Sequence, residues 1–368
     1  MTASKVYFTN LRGEMGYNLL DKTRKLFNRS GFADRISPGD KVAVKLHFGE
    51  EGNTAFLQPM YARVVVEEIK KAGGKPFLID TNTLYKGSRA NAVDHLETAM
   101  KNGFSYATVG APVIIGDGLI GKDYITEKVD GKFFKEVKIA AGFHHADAVV
   151  NLTHFTGHEL FGFGGALKGI GMGCAAPSGK QEMHSDVLPV VREAKCTMCG
   201  KCYDWCPVDA IEWEEGVKAL IVEEKCIGCG ECTVSCNFGA IAVNWKTDPA
   251  VTLEKTAEYV AGALKNKKGK GLFFNYLINI SPDCDCFDFN DPPFVVDVGI
   301  MVSGDPVALD QAAVDLVNRA QGLAGSKLED LGAEDKIRAV TGITWQPILE
   351  HAERLGLGKR KYDLEQVD

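Results

Sequence analysis

In residues 41–48 the side chains alternate, with Val42, Val44, Leu46 and Phe48 on one face and Ala43, Lys45 and His47 on the other. A period of two predicts a strand. Pro59 suits a first helical position, residues 60–72 carry a helical apolar spacing, and Gly73 with Gly74 ends that helix before a strand at 75–80. The unit reads as βαβ, whose crossover is right-handed in parallel sheets. The pattern continues with a helix over 91–101, an apolar run at 112–115, a helix near 137–146 and a buried strand at 148–152.

Beyond residue 246 the same alternation resumes, with a helix near 253–265 and strands at 271–278 and 295–302. Asp305 caps and Pro306 opens a helix running to about 320. A last amphipathic helix at 345–355 stops at Gly356, and the tail from Lys359 is expected to be loose. The fold class is therefore α/β with a mostly parallel sheet. In such sheets ligands gather beyond the carboxyl ends of the strands, which points to residues 47–53, 80–83 and 154–158 as the walls of a cleft.

Between the two αβ stretches the chain repeats itself: KCTMCGKCYDWCPVDAIEW is echoed thirty residues later by KCIGCGECTVSCNFGAIAV. Two short strands, 210–213 and 217–222, form a hairpin between the halves. This divides the chain into an αβ domain at 1–188 and 247–325, an inserted α+β module at 189–246, and a C-terminal helical extension at 326–368.

Cys196, Cys199, Cys202 and Cys206-Pro207 match Cys-x-x-Cys-x-x-Cys-x-x-x-Cys-Pro, the bacterial ferredoxin run, in which three cysteines hold one cluster and the fourth crosses to the other. Cys226, Cys229, Cys232 and Cys236 repeat the spacing. The expected cofactors are two 4Fe-4S clusters. Cluster one would take Cys196, Cys199, Cys202 and Cys236, and cluster two Cys226, Cys229, Cys232 and Cys206. Zinc ribbons separate two pairs of cysteines instead of spacing three in one run, which weighs against zinc. Asn237 stands where many such runs have proline and removes no ligand. Gly200, Gly228 and Gly230 let backbone N–H groups approach cluster sulfurs, and they serve equally well as plain turn glycines.

Residues 152–184 gather His154, His158, Lys168, Cys174, Lys180 and His184 among many glycines. No phosphate-binding loop or dinucleotide fingerprint is in register there, and no motif supports a flavin. His154, Lys168 and Cys174 are the candidate catalytic residues, as proton carrier, anion partner and thiol. Cys284 and Cys286 flank Asp285 in Pro-Asp-Cys-Asp-Cys; with His158 and His184 they form a candidate additional metal site, because soft thiolate and imidazole donors suit a transition metal. In the first cleft loop, His47, Glu50 and Asn53 read as loop capping, whereas Lys45 and Asp80 project from strands and are offered to a ligand.

Three segments, KLHFGEEGNTAFLQPMYARVVVEEIKKAGGKPFLIDTNTLY, NLTHFTGHELFGFGGALKGIGMGC and ISPDCDCFDFNDPPFVVDVGIMVSGDPVALDQAAVDLVN, make the chain resemble a bacterial and archaeal αβ family of unknown function, some of whose members carry a ferredoxin pair at this point. The resemblance covers about residues 5–320 and implies the insertion, without a settled reaction or catalytic residue.

Composition narrows the partners. A formal charge of -7 with no Lys/Arg-rich block leaves no footprint for nucleic acid. No run approaches the length a bilayer crossing needs, and residues 1–11 lack a leader pattern, so a cytoplasmic protein is expected. Eight of the eleven cysteines fall in the repeat, which favours metal over disulfides. The reading is an iron-sulfur electron-transfer protein, with a redox partner protein or low-potential carrier and a small-molecule substrate as partners. The form it takes is a ferredoxin-coupled oxidoreductase passing electrons to a substrate or metal site in the αβ cleft; the alternatives are a non-catalytic carrier docking on a partner enzyme and a metallocofactor maturation factor.

Overall fold

The computed structural model describes residues 3–84, 87–184, 188–226, 230–236, 238–242 and 248–367. Eight strands form the central sheet: β1 (Ser4–Thr9), β2 (Lys41–Lys45), β3 (Lys75–Asp80), β4 (Val113–Ile115), β5 (Ala148–His154), β6 (Gly271–Leu277), β7 (Gly299–Ser303) and β8 (Tyr362–Gln366). Their order is β8-β1-β7-β6-β5-β2-β3-β4. Only β7 runs against its neighbours; every other pairing is parallel. From β2 the chain steps outward to β3 and β4 and then returns to the other side of β2 as β5, so the winding reverses between β2 and β5. That crevice is where open α/β sheets bind ligands.

Helices cover both faces. On one lie α1 (Leu19–Arg29), α2 (Pro59–Lys71) and α3 (Ala92–Lys101). On the other lie α4 (Ala166–Gly171), α6 (Pro249–Leu264) and α7 (Pro306–Arg319), with α5 (Pro177–His184) leading away from α4. The alternation along β2 divides the strand between these layers. Val42 and Val44 pack with Phe27, Val65 and Ile69, while Ala43 joins the opposite layer with Leu167, Ile170 and Val260. Both faces are apolar because both are covered. α8 (Lys336–Thr341) and α9 (Gln346–Arg354) follow, and Gly356 takes φ +74° where α9 ends.

Three expectations are corrected. Residues 137–146 are not one helix: Glu136–Ala140 is a strand paired with Tyr124–Lys128, followed by one helical turn at Ala141–His144. The buried Val137 and Ile139 are two apart, which is the strand period. The strand expected from 295 starts at Gly299. The tail is not loose either, since β8 pairs in parallel with β1 at the edge of the sheet. Strand β1 and helix α1 add to the elements expected from the sequence.

The cysteine-rich segment leaves the αβ domain after α5 and rejoins it at α6. Its ends pair as Val190–Val191 with Ile241–Ala242, and its middle as Ile211–Glu212 with Leu220–Ile221, a shorter hairpin than the sequence suggests. The helical turns Lys201–Asp204 and Glu231–Ser235 occupy equivalent places in the two repeats, each preceded by a glycine at φ near +70°. Ile211, Ala219, Ile221, Cys232 and Ile241 form its small core. Gly228, Cys229 and Asn237 lie outside the described residues, so the expected ligand role of Cys229 is not placed.

Candidate functional site

Two features stand out: a cleft at the carboxyl ends of the strands, and two cysteine-lined hollows in the module. The cleft has a volume of about 960 Å³ and takes its walls from the three loops predicted, with Lys45, His47, Glu50, Asp80, Thr81, His154 and His158 among its lining residues. Lys168, Lys180, His184, Cys284 and Cys286 also reach it.

Its floor is ionic. Lys45 ends β2 and meets Asp80, which ends the neighbouring β3, at 3.0 Å with both side chains 4% exposed. Arg89 stands 3.6 Å from Asp80 and 3.0 Å from Glu50, and His95 lies 3.6 Å from Asp80. Burial alone would raise the Asp80 pKa, but Lys45, then His95 and His47, hold it well below the usual carboxylate range. Lys180 donates to Thr81 Oγ1 at 2.6 Å and to the Asn82 carbonyl. Asp117 accepts from the Asn82 backbone N–H and side-chain amide. Arg89, His95 and Asp117 carried no signal in the sequence, as single polar residues outside any repeat or motif.

His154 is placed in the cleft, but both of its nitrogens are committed. Nδ1 lies 2.9 Å from Asp285 Oδ1, and Nε2 faces the carbonyls of Ile278 and Asn279 at 2.8 and 3.2 Å. Burial would lower its pKa, yet the Asp285 charge and these acceptors raise it. With acceptors on both sides the ring holds the loop after β6, a clamp that engages both nitrogens on which the proton-transfer role expected for His154 would depend. His47 Nδ1 accepts from Gly49 N–H at 2.9 Å, and Asn53 donates to the Phe289 carbonyl at 3.0 Å, so both cap loops as expected.

Cys284 sits beside that clamp. Lys168 Nζ is 3.0 Å from its Sγ, and the Cys286 N–H reaches the same sulfur at 3.4 Å. The Cys286 thiol is the main cause that takes the Cys284 pKa well below the ordinary thiol value; burial opposes it, and Lys168 and His158 reinforce it. Cys286 is correspondingly raised. One ligand atom each from His158, Cys284 and Cys286 falls within 4.8 Å of the others. His184, the fourth member expected there, lines the same cleft outside this trio. Burial first, then His158 and Lys168, push its pKa down to about 3.

Cys174 is elsewhere. Its side chain is fully buried in the apolar layer with Ala175, Ile170 and Ile139, and it does not line the cleft. Burial pushes its thiol up to about 12. A protonated core thiol is a packing residue, so the catalytic role expected for Cys174 is not supported by its placement.

In the module, one hollow is lined by Cys196, Cys199, Cys202 and Cys236, and the other by Cys206, Cys226 and Cys232. Each draws cysteines from both repeats. Ala210 N–H points at Cys206 Sγ and Ala240 N–H at Cys236 Sγ, both at 3.2 Å, so the fourth cysteine of each run accepts the same backbone bond. Cys199 is exposed, as are Met198 and Phe238 on the rim of the first hollow. The second hollow faces the αβ domain: Gly230, on its wall, packs so closely on Gln181 of α5 that a Cβ there would lie 2.4 Å from the Gln181 side chain. Glu231 is held by Tyr124 at 3.2 Å and Lys138 at 3.5 Å. The neighbours of Gln181 on α5, Lys180 and His184, line the cleft, so one helix touches both features.

These features define an α/β protein with a mostly parallel sheet, a cleft with an ionic floor at its winding reversal and a cysteine-rich insertion. Residues 42–315 match the family described as Domain of unknown function (DUF362), and the chain belongs to that family. No curated protein matches the chain. Among solved structures it is similar to the lactate racemase apoprotein from Thermoanaerobacterium thermosaccharolyticum, at 11% identity and TM-score 0.35 over 75% of this chain and 51% of that one. It is also similar to a protein from Thermotoga maritima, at 11% identity and TM-score 0.38 over 91% of this chain and 59% of that one. The chain thus spans little more than half the length of either.

Proposed function

We propose that the chain is an iron-sulfur electron-transfer protein, a ferredoxin-coupled oxidoreductase of a reducing, cytoplasmic compartment, in which a two-cluster module serves the αβ cleft. One observation carries this reading: the described cysteines of the repeat divide between two hollows by the crossed pattern of bacterial ferredoxins and not by sequence proximity. Cys236 sits with Cys196, Cys199 and Cys202, while Cys206 sits with Cys226 and Cys232. The donor set fits 4Fe-4S clusters, which supply one-electron chemistry at low potential when bound.

The residues around the hollows suit that role. Ala210 and Ala240 direct N–H groups at the ligand sulfurs, an arrangement that tunes potential. Gln181, fully buried against Gly230, has side-chain amide atoms with no hydrogen-bond partner among the described residues, and such orphans mark a missing acceptor or donor. The polarity of the path is also supported. The first hollow opens beside exposed Cys199, Met198 and Phe238, where a carrier protein can dock, and the second abuts α5 and hence the cleft. A cleft of this size, lined by Lys168, Lys180 and Arg89, favours delivery to a small substrate over carriage alone.

The test is iron and acid-labile sulfide content of anaerobically purified protein. About eight of each per chain are expected for two cubane clusters. Cys206→Ser, although in the first repeat, is expected to perturb the second cluster and leave the first. Zinc in place of iron, or a Cys206 variant that damages only the first cluster, contradicts the proposal.

A further inference from the structure

Outside the cysteine repeat, soft donors converge once more. The short strand Thr156–His158 and the loop following β6 are brought together by Gly157, whose N–H donates to the Ser281 carbonyl at 2.8 Å. A Cβ at that position would lie 2.2 Å from the Pro282 carbonyl oxygen, so only glycine permits the approach. The contact sets His158 beside Cys284 and Cys286, with one ligand atom from each inside a 4.8 Å envelope on the cleft wall.

We propose that His158, Cys284 and Cys286 form a mononuclear site for a thiophilic divalent metal ion, with its fourth position open to the cleft. The site goes beyond the iron-sulfur reading and stands apart from it, since none of its residues belongs to the repeat. Two thiolates and an imidazole select a zinc-like or iron-like ion over magnesium or calcium, which take oxygen donors. Three protein ligands on a cleft wall match the open type of centre, in which the last position takes water or substrate.

The surroundings are those of ligands held in place. Asp285, between the two cysteines, is committed to His154 at 2.9 Å, so the loop is fixed while its carboxylate is kept from competing as a ligand. Lys168 Nζ at 3.0 Å donates to Cys284 Sγ, a supporting bond that offsets thiolate charge. His158 Nδ1 accepts from Leu160 N–H at 3.1 Å and has Glu159 Oε2 at 3.3 Å, leaving Nε2 as the nitrogen for the ion. When Nε2 binds, the ring proton moves to Nδ1, and Glu159 Oε2 accepts it there in place of the N–H contacts from Leu160 and Phe161. The two thiolates of Cys284 and Cys286 then balance the dication, and the protons lost from their thiols go to water. Cys174 is the contrasting case, a thiol packed into the apolar layer and outside the cleft lining.

The experiment uses the full chain, purified anaerobically with its iron in place, washed with chelator and then given Zn²⁺. Zinc and iron are counted on the same sample, and zinc K-edge absorption reports the ligand atoms. One zinc per chain beyond the iron, with two sulfurs and at least one nitrogen in its shell, is expected. Cys284→Ser/Cys286→Ser and, separately, His158→Gln are expected to weaken zinc binding by about 100-fold or more, since loss of a mere supporting partner already costs 10–100-fold. Iron content is expected to be unchanged, which also shows that each variant folds. Zinc bound here in a protein lacking iron supports this site while refuting the iron-sulfur reading. No zinc beyond the wild type's iron, zinc gained only as iron is lost, zinc retained by both variants, or a Cys284–Cys286 disulfide in the anaerobic protein overturns the proposal.

Discussion

His154 illustrates how a buried side chain's partners fix its role. Its ring is 2% exposed and joins Asp285, 6% exposed, to the carbonyls that follow β6. Removing one member of such a pair strands the other charge, at a cost of about 3–5 kcal/mol. His154→Ala is therefore expected to lower unfolding free energy by that order, measured by denaturant titration, whereas Cys174→Ala should cost about 1 kcal/mol, as for loss of a small buried group. His184 is expected to show in the pH dependence. Its folded pKa, about 3, lies below the ordinary 6.5, so the unfolded chain binds the proton more readily between these values and stability falls as pH falls through them. His184→Leu is expected to flatten that fall, read as a stability difference from wild type that shrinks between about pH 7 and pH 5.

At the scale of elements, α5 is the part whose placement matters most, because it carries Gln181 against the second hollow and Lys180 and His184 into the cleft. Gly230 makes that seating possible twice over, through φ +72° and through its contact with Gln181. Gly230→Ala is expected to unseat the module from α5 and reduce iron from about eight to about four per chain through loss of the second cluster. Full iron with unaltered spectra would show that the seating is unimportant. Much of this level was legible in the sequence, since Val42, Val44 and Leu46 announce β2 by their alternation, and the cysteine spacing marks the repeat. Residues 137–146 read as either element because Val137 and Ile139, then Ala140 and Ala141, satisfy both periods over so short a run. β8 is unmarked for a different reason: at the sheet edge its side chains are held by polar partners, Tyr362 by Asp315 and Glu365 by Arg29, while Asp363 and Leu364 remain exposed, so no apolar pattern marks it.

The whole molecule joins two structures that the sequence describes unequally. The candidate cleft was legible as three loops because strand ends in a parallel sheet converge on one side, and the pairing of Cys284 and Cys286 with His158 followed from residue chemistry. Arg89, His95 and Asp117 were not legible, because their significance comes from Asp80, Glu50 and Asn82, brought near them by the fold. The central claim, that the inserted module holds two clusters close enough to act as one conduit to the cleft, is tested most directly by electron paramagnetic resonance of the anaerobically reduced protein. A broadened, spin-coupled spectrum from two reduced 4Fe-4S clusters is predicted. A spectrum without iron-sulfur signals, from protein whose repeat cysteines hold zinc, would contradict the account.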